Sequence, residues 1–248
     1  MKEITSLQHP LVKHLVKLRQ ERSYRREQRT ALICGTKLVA EIGRERRLKV
    51  VLIEQGLSPL PGLMADEIYY VTPSILKKVT ALESPEPFAA EVALPEPANL
   101  KGKRYLLALD GVSDPGNLGT LLRTALALGW EGVFLTENCC DPFNEKAIRA
   151  AKGATFRLPF TMGPVDALKK LIDGGKFKAY VADVKGKSVL EEKFPAPLML
   201  ILGNESQGVS SELASHYSLL SIPMAGNMES LNVAVAGGIL LMEMKKHS

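Results

Sequence analysis

The chain reads as an α/β protein in two parts, a small N-terminal α/β unit followed by a larger domain built on a parallel sheet. Three observations predict this. Short apolar runs alternate with helical stretches along the whole chain. In the second half these runs are apolar at successive positions, as in strands covered on both faces. Between the halves, Pro95-Glu-Pro97-Ala-Asn-Leu-Lys-Gly-Lys103 has no periodicity and reads as a linker stiffened by its prolines. At 248 residues, one or two domains are expected, with enough chain to bury a real core.

Taken in order, Leu11, Leu15 and Leu18 lie at helical spacing over 10–19, with Ser6 as candidate cap. Ala31 to Cys34 is a short strand stopped by Gly35, and 37–43 is a helix. Lys49 to Ile53 and Ile68 to Val71 are strands, Pro73 to Leu82 is a helix, and Phe88 to Leu94 is a last strand. These elements make a domain over 1–94, followed by the linker 95–103 and a second domain over 104–248. Its strands are predicted at Tyr105–Leu109, Gly132–Leu135, Ala179–Ala182, Leu198–Leu202 and Leu219–Ile222, each bounded by Gly, Pro, Asp or Asn. Helices are predicted at 117–128, 143–151, 164–172 and 210–216. The stretch 231–244 is apolar nearly all round, so its helix needs burial on more than one side, inside the protein or at a subunit interface.

Composition removes several classes. Hydrophobic residues are 46% and charged residues 24%, ordinary globular values. No apolar run reaches the 18 or so residues of a membrane span, and the N-terminus lacks the apolar core of a secretory signal. Cys34, Cys139 and Cys140 make no disulfide framework, and with His9, His14, His216 and His247 they form no ligand spacing for zinc. The expectation is a cytosolic, soluble, metal-free protein. The net charge of +5 is unevenly spread. Residues 1–49 hold thirteen bases against five acids, a net +8, while the other 199 residues are net −3. Such clustering suits either a solvated helix or a polyanion-binding end that contacts phosphates. With Tyr24 its one aromatic, the stretch offers no base-stacking platform.

Phosphate-loop patterns are absent. Gly111, Gly116 and Gly119 have the wrong spacing for G-x-G-x-x-G, and Lys187-Ser188 lacks its Walker glycine because position 181 is Val. Three other segments each follow an apolar strand and break into glycine and polar residues, where parallel α/β sheets build their sites. They are Leu109-Asp-Gly-Val-Ser-Asp-Pro-Gly-Asn-Leu-Gly-Thr-Leu-Leu-Arg-Thr-Ala125, Leu200-Ile-Leu-Gly-Asn-Glu-Ser-Gln-Gly-Val209 and Ser221-Ile-Pro-Met-Ala-Gly-Asn-Met-Glu-Ser-Leu-Asn-Val-Ala-Val235. Singly, each reads as a turn and a helix cap, with Asn117 and Asn232 as the capping residues.

Together, and in this order, the segments resemble the three signature motifs of the SpoU (TrmH-like) branch of the SPOUT RNA methyltransferases, over 104–248. Residues 1–94 resemble the ribosomal-protein-like substrate-binding domain often fused ahead of it. That match rests on Ser6-x-x-x-Pro10 with a following basic helix, and on Ile33-x-Gly35-x-x-Leu38-Val39. Cys34 stands where an acid is expected, and His9 where asparagine is usual.

The resemblance implies transfer of a methyl group from S-adenosylmethionine to a ribose 2′-hydroxyl of RNA, an α/β domain with a trefoil knot, and a homodimer joined through knot-region helices. It implies that Arg123 is central to activating the hydroxyl. Because neutral arginine is costly, a role orienting the hydroxyl and the adjacent phosphate is preferred over that of a base. Asn117 is expected to shape the loop beside the substrate, Glu205 to support the polar network, and Ser230 and Asn232 to hold the arginine or the cofactor loop. Ala182, Leu202, Gly203, Ile222, Met224 and Leu231 are the expected cofactor contacts, with Asp183 beside Ala182. Lys13, Lys17, Arg22, Arg25, Arg26 and Arg29 are the expected RNA contacts. Ribosomal RNA of the 23S type is favoured over transfer RNA. A non-catalytic RNA-binding or ribosome-assembly protein, or a different nucleotide-binding α/β enzyme, stands against this reading.

Overall fold

The computed structural model describes residues 2–226 and 229–246. Asn227 and Met228 of the third segment, and His247, lie outside the described residues. The elements run β1 (Lys2–Ile4), α1 (Pro10–Gln20), α2 (Arg22–Gln28), β2 (Thr30–Cys34), α3 (Thr36–Glu45), β3 (Leu48–Glu54), β4 (Ala65–Val71), α4 (Pro73–Thr80) and β5 (Phe88–Ala93). They continue as β6 (Tyr105–Leu109), α5 (Pro115–Ala127), β7 (Gly132–Thr136), α6 (Glu145–Ala151), α7 (Ala154–Arg157), β8 (Phe160–Gly163) and α8 (Val165–Gly175). The chain ends with β9 (Lys178–Ser188), β10 (Leu198–Leu202), α9 (Ser211–Ala214), β11 (Ser218–Ser221) and α10 (Val233–Lys246).

Two compact units result, one of Met1–Pro95 with Phe143–Phe156, the other of Glu96–Pro142 with Arg157–Ser248. The segment Phe143–Phe156 thus packs with the first unit, a placement that a linear division at the linker does not include. The linker is also more than a spacer. Leu100 is buried in the core of the second unit, and the Ala98 N–H donates to Phe160 O at 2.8 Å.

The first unit is a five-stranded mixed sheet in the order β1-β4-β3-β5-β2, with β5 antiparallel to both β2 and β3. Val12, Leu15 and Leu18 of α1 and Ile75, Leu76 and Val79 of α4 pack on it with Leu52 and Ala89. Val12 thus replaces the half-buried Leu11 in the buried row. His9 caps α1 in place of Ser6, its Nδ1 accepting from Leu11 N–H at 3.2 Å. Strand β1 has a single buried apolar residue, Ile4, and so carries no alternation to read.

The second unit is a six-stranded sheet in the order β11-β9-β10-β6-β7-β8, with every neighbouring pair parallel. Strands β6, β7 and β10 are almost wholly buried, as apolar runs covered on both faces require. Strand β9 runs further than its apolar part. Between Val181 and Lys187 it detaches from β11, where only one step separates Leu219 from Leu220, so residues 182–186 loop out. Asp114, not Asn117, caps α5, accepting from Asn117 N–H at 2.7 Å with Pro115 at the first helical position. Asn232 caps α10 as expected, its Oδ1 accepting from Ala234 N–H. Gly237 allows α10 to close on α5 and β10, since a Cβ there would lie 2.3 Å from Leu121 Cδ2 and 2.7 Å from Leu202 Cδ1.

Candidate active site

The loop-out of β9, the carboxyl ends of β10 and β11 and the start of α10 converge on one cavity of about 520 Å³ within the second unit, well inside the range of small-molecule sites. Leu202 and Gly203 leave β10, Ile222 and Met224 follow β11, Ala182 and Asp183 come from the loop-out in β9, and Leu231, Ala236 and Leu240 come from α10 and its approach. All six expected cofactor residues therefore lie on one wall system. Gly203 is required there. A Cβ would sit 2.1 Å from the Gly208 carbonyl carbon, because the chain doubles back through the Asn204–Gly208 bridge, with its two backbone hydrogen bonds of 2.9 and 3.0 Å. The result is a backbone cradle faced by apolar side chains, a donor set that suits the adenine and the sulfonium-bearing chain of S-adenosylmethionine.

Glu205 organises the mouth. Its Oε2 accepts from Ser113 N–H at 3.1 Å and from Ser113 Oγ–H at 2.9 Å. Its Oε1 accepts from Asp114 N–H at 3.1 Å and from Asn117 Nδ2–H at 3.0 Å. Asn232 Nδ2–H then donates to Asn117 Oδ1 at 3.0 Å. One chain of hydrogen bonds thus joins all three sequence segments. Burial raises the Glu205 carboxyl, but hydrogen bonds from Asn117 and from the backbone N–H groups of Glu205, Ser113 and Asp114 outweigh it and hold the group down at about 2. Ser230 and Glu229 are exposed on the cavity wall.

Arg123 is not on that wall. It is exposed on α5, two turns beyond Asn117, and makes no hydrogen bond or ion pair among the described residues. Its guanidinium is therefore available to a substrate rather than tied into the fold.

Sequence reasoning passed over Asn204, whose Nδ2–H donates to Gly111 O at 2.9 Å while its Oδ1 accepts from Ser206 and Gln207 N–H. It also passed over the capping role of Asp114, although Asp-Pro at a helix start is a readable signal.

In the first unit the expected RNA contacts divide. Lys13 and Arg26 are exposed, and so is Arg29, which ends α2 in the left-handed region at φ 53°. Lys17 is exposed but lies 4.3 Å from the centre of the Tyr24 ring and 3.8 Å from Glu21. Arg22 is half-buried. Arg25 is a correction. It is 3% exposed and donates through Nη1 to Leu18 O at 2.6 Å and to Arg19 O at 2.9 Å. Those carbonyls end α1, so Arg25 ties α1 to α2 and faces no solvent.

Comparison with known proteins agrees with this geometry. Residues 104–242 match the SpoU rRNA Methylase family, and residues 9–90 match the MRM3-like substrate binding domain. The chain is 33% identical over 249 residues to the 23S rRNA (guanosine(2553)-2′-O)-methyltransferase RlmP of Bacillus subtilis, covering 99% of this chain and 100% of that one. The crystal structure of an AdoMet-bound rRNA methyltransferase from Sinorhizobium meliloti superposes with a TM-score of 0.87 at 28% identity, over 99% of this chain and 98% of the other. A putative RNA methyltransferase of the TrmH family from Porphyromonas gingivalis gives 0.83 at 33% identity, over 98% and 100%.

Proposed function

Because the chain belongs to the SpoU rRNA methylase family, we propose that it methylates a ribose 2′-hydroxyl of 23S-type ribosomal RNA, using S-adenosylmethionine. The observation that carries this is the Glu205–Asn117–Asn232 chain, which draws three segments far apart in sequence to the mouth of one glycine-floored cavity.

The cofactor supplies an electrophilic methyl on a sulfonium. The protein's own part is placement, for which a bimolecular displacement can gain about 7–11 kcal/mol. Gly203 with Leu202, Ile222, Met224 and Leu231 binds through backbone and apolar surface, while Ala182 and Asp183 close the far edge. Arg123 orients the ribose hydroxyl and its neighbouring phosphate with its planar fork, and the hydroxyl proton passes to solvent water as the oxygen takes the methyl. Asn117, braced between Glu205 and Asn232, fixes the start of the helix that carries Arg123. Ser230 lines the cavity beside Asn232 and steadies the cofactor loop.

Three further readings complete the proposal. The second unit is a trefoil-knotted domain. The protein is a cytoplasmic homodimer, and the exposed stripe Val235, Ile239 and Met242 on α10 supports this. The division into an RNA-binding domain over 1–94, a linker over 95–103 and a methyltransferase domain over 104–248 assigns RNA capture to the basic first part, through Lys13, Lys17, Arg22, Arg26 and Arg29.

The test is methyl incorporation from labelled S-adenosylmethionine into 23S ribosomal RNA and, separately, into transfer RNA, each lacking the modification. Transfer to ribosomal RNA alone is expected. Transfer to transfer RNA alone overturns the substrate, and cofactor binding without transfer to either makes the protein a non-catalytic RNA binder.

A further inference from the structure

Outside the three motif segments, the end of β7 and the turn after it hydrogen-bond the loop that links β6 to α5. Thr136, the last residue of β7, is 1% exposed, and its Oγ1 accepts from Gly111 N–H at 2.9 Å. Cys139 Sγ–H donates to Leu109 O at 3.1 Å, and Cys140 N–H donates to Val112 O at 2.9 Å. The second motif holds the same stretch from its own side. Asp110 N–H donates to Leu202 O at 2.8 Å, and Asp110 Oδ2 accepts from Ser210 N–H at 2.9 Å. Asn204 takes Gly111 O, and Glu205 takes Ser113 and Asp114. Both peptide groups of Gly111 are therefore engaged, its N–H by Thr136 and its C=O by Asn204. Gly111 itself sits at φ 70°, where only glycine is at ease. A loop in that conformation needs a partner on each side, or it relaxes.

We propose that Thr136 is a positioning residue for methyl transfer. It acts through Gly111 to fix the loop Asp110–Asp114, and through the Asp114 cap it sets the start of α5 and hence Asn117 and Arg123. The inference rests on the proposed methyltransferase activity. The cofactor cradle at Gly203, Ile222 and Met224 does not touch Thr136, so the two functions are separable.

The experiment uses the full chain and compares Thr136→Val, which keeps the branched shape and removes the acceptor, with Thr136→Ser, which keeps the acceptor. A third variant, Ile172→Val in the α8 core, loses stability without touching the site. Wild-type transfer to ribosomal RNA is measured first, and its absence would sink the activity and not this inference. With transfer established, Thr136→Val should lower kcat about tenfold while S-adenosylmethionine affinity by calorimetry stays within about twofold. Thr136→Ser should restore kcat, and Ile172→Val should keep it. If the valine variant does not fold, Thr136→Ala, which leaves no branched methyl beside the unpaired N–H, takes its place. Wild-type kcat in a folded variant without the hydroxyl overturns the proposal, as does an equal kcat loss in Ile172→Val at matched Tm.

Discussion

Arg123 and Glu205 are both exposed, yet what surrounds them differs completely. Glu205 accepts four hydrogen bonds from the first segment; Arg123 has no hydrogen-bond or ion-pair partner among the described residues. The first is therefore held in the fold, and the second is the group we propose acts on substrate. Arg123→Ala should leave Tm nearly unchanged, since an exposed side chain without partners contributes within about 0.5 kcal/mol, and should lower methyl transfer at least about a hundredfold. Arg123→Lys should fail as well, because a point charge does not reproduce the bidentate fork. Near-normal turnover of either variant refutes the role. Glu205 carries a pH signature. Its carboxyl lies at about 2 in the folded protein against an ordinary 4.5. A depressed carboxylate stabilises the fold above its unfolded value and loses that contribution as pH falls through its folded one. The Tm gap between wild type and Glu205→Gln should thus be constant above about pH 5 and close progressively from about 4.5 toward 2. A gap that disappears near neutrality would mean the hydrogen bonds at Ser113 and Asn117 do not set the charge.

Among the elements, what was legible in the sequence depended on whether the side chains or the backbone carried the signal. Apolar runs such as Tyr105–Leu109 and Leu198–Leu202 gave strands with the observed bounds, because burial on both faces demands such runs. Short elements were silent. β1 has one buried residue, and β8, Phe160–Gly163, has a two-residue half-buried centre. The loop-out in β9 was also unreadable, since its cause is a register step against β11 that no local pattern records. Motif order pointed to the candidate site residues, whereas Asn204 and Thr136 contact backbone groups of a loop remote in sequence, which only the fold reveals. Gly203 shows the same limit, since a Cβ there would fall 2.1 Å from the Gly208 carbonyl carbon, a need set by close approach and not by a turn angle. Gly203→Ala must displace the Asn204–Gly208 hairpin, an overpacking of about 1–3 kcal/mol. Calorimetry should show S-adenosylmethionine binding weakened at least tenfold. Unchanged affinity would mean that the cofactor does not lie over this strand end.

For the whole molecule, α10 presents two apolar faces with different fates. Gly237, Leu240, Leu241 and Met244 are buried against the second unit's own body, while Val235, Ile239 and Met242 are 53%, 37% and 46% exposed at i, i+4 and i+7. An exposed apolar stripe of this kind is the surface a second copy would cover in the proposed dimer. Light scattering should give a dimer at micromolar concentration, and Val235→Glu with Ile239→Lys should give a folded monomer. A wild-type monomer would remove the interface.

The positive charge of the first unit is concentrated in residues 1–49, net +8. Deleting residues 1–95 is the obvious test of RNA anchoring, but Phe143–Phe156 packs with that unit. Phe143 and Phe156 are 9% and 3% exposed with ring centroids 5.9 Å apart, and Arg46 Nη2–H donates to Phe156 O at 2.9 Å. Truncation would strip the cover from both rings, so the truncated protein should self-associate, and its loss of activity would say nothing about RNA. Charge reversal avoids this. Lys13 and Arg26 are exposed on α1 and α2, so Lys13→Glu with Arg26→Glu should keep Tm while weakening binding to ribosomal RNA. For every phosphate no longer neutralised, the slope of log affinity against log salt should become shallower by about 0.7–0.9, and so by about 1.5 for the pair. Reversal at Arg25 would instead lower Tm, since that guanidinium is spent on the carbonyls of Leu18 and Arg19. A double variant at Lys13 and Arg26 with unchanged affinity and slope would place the RNA on another surface of the protein.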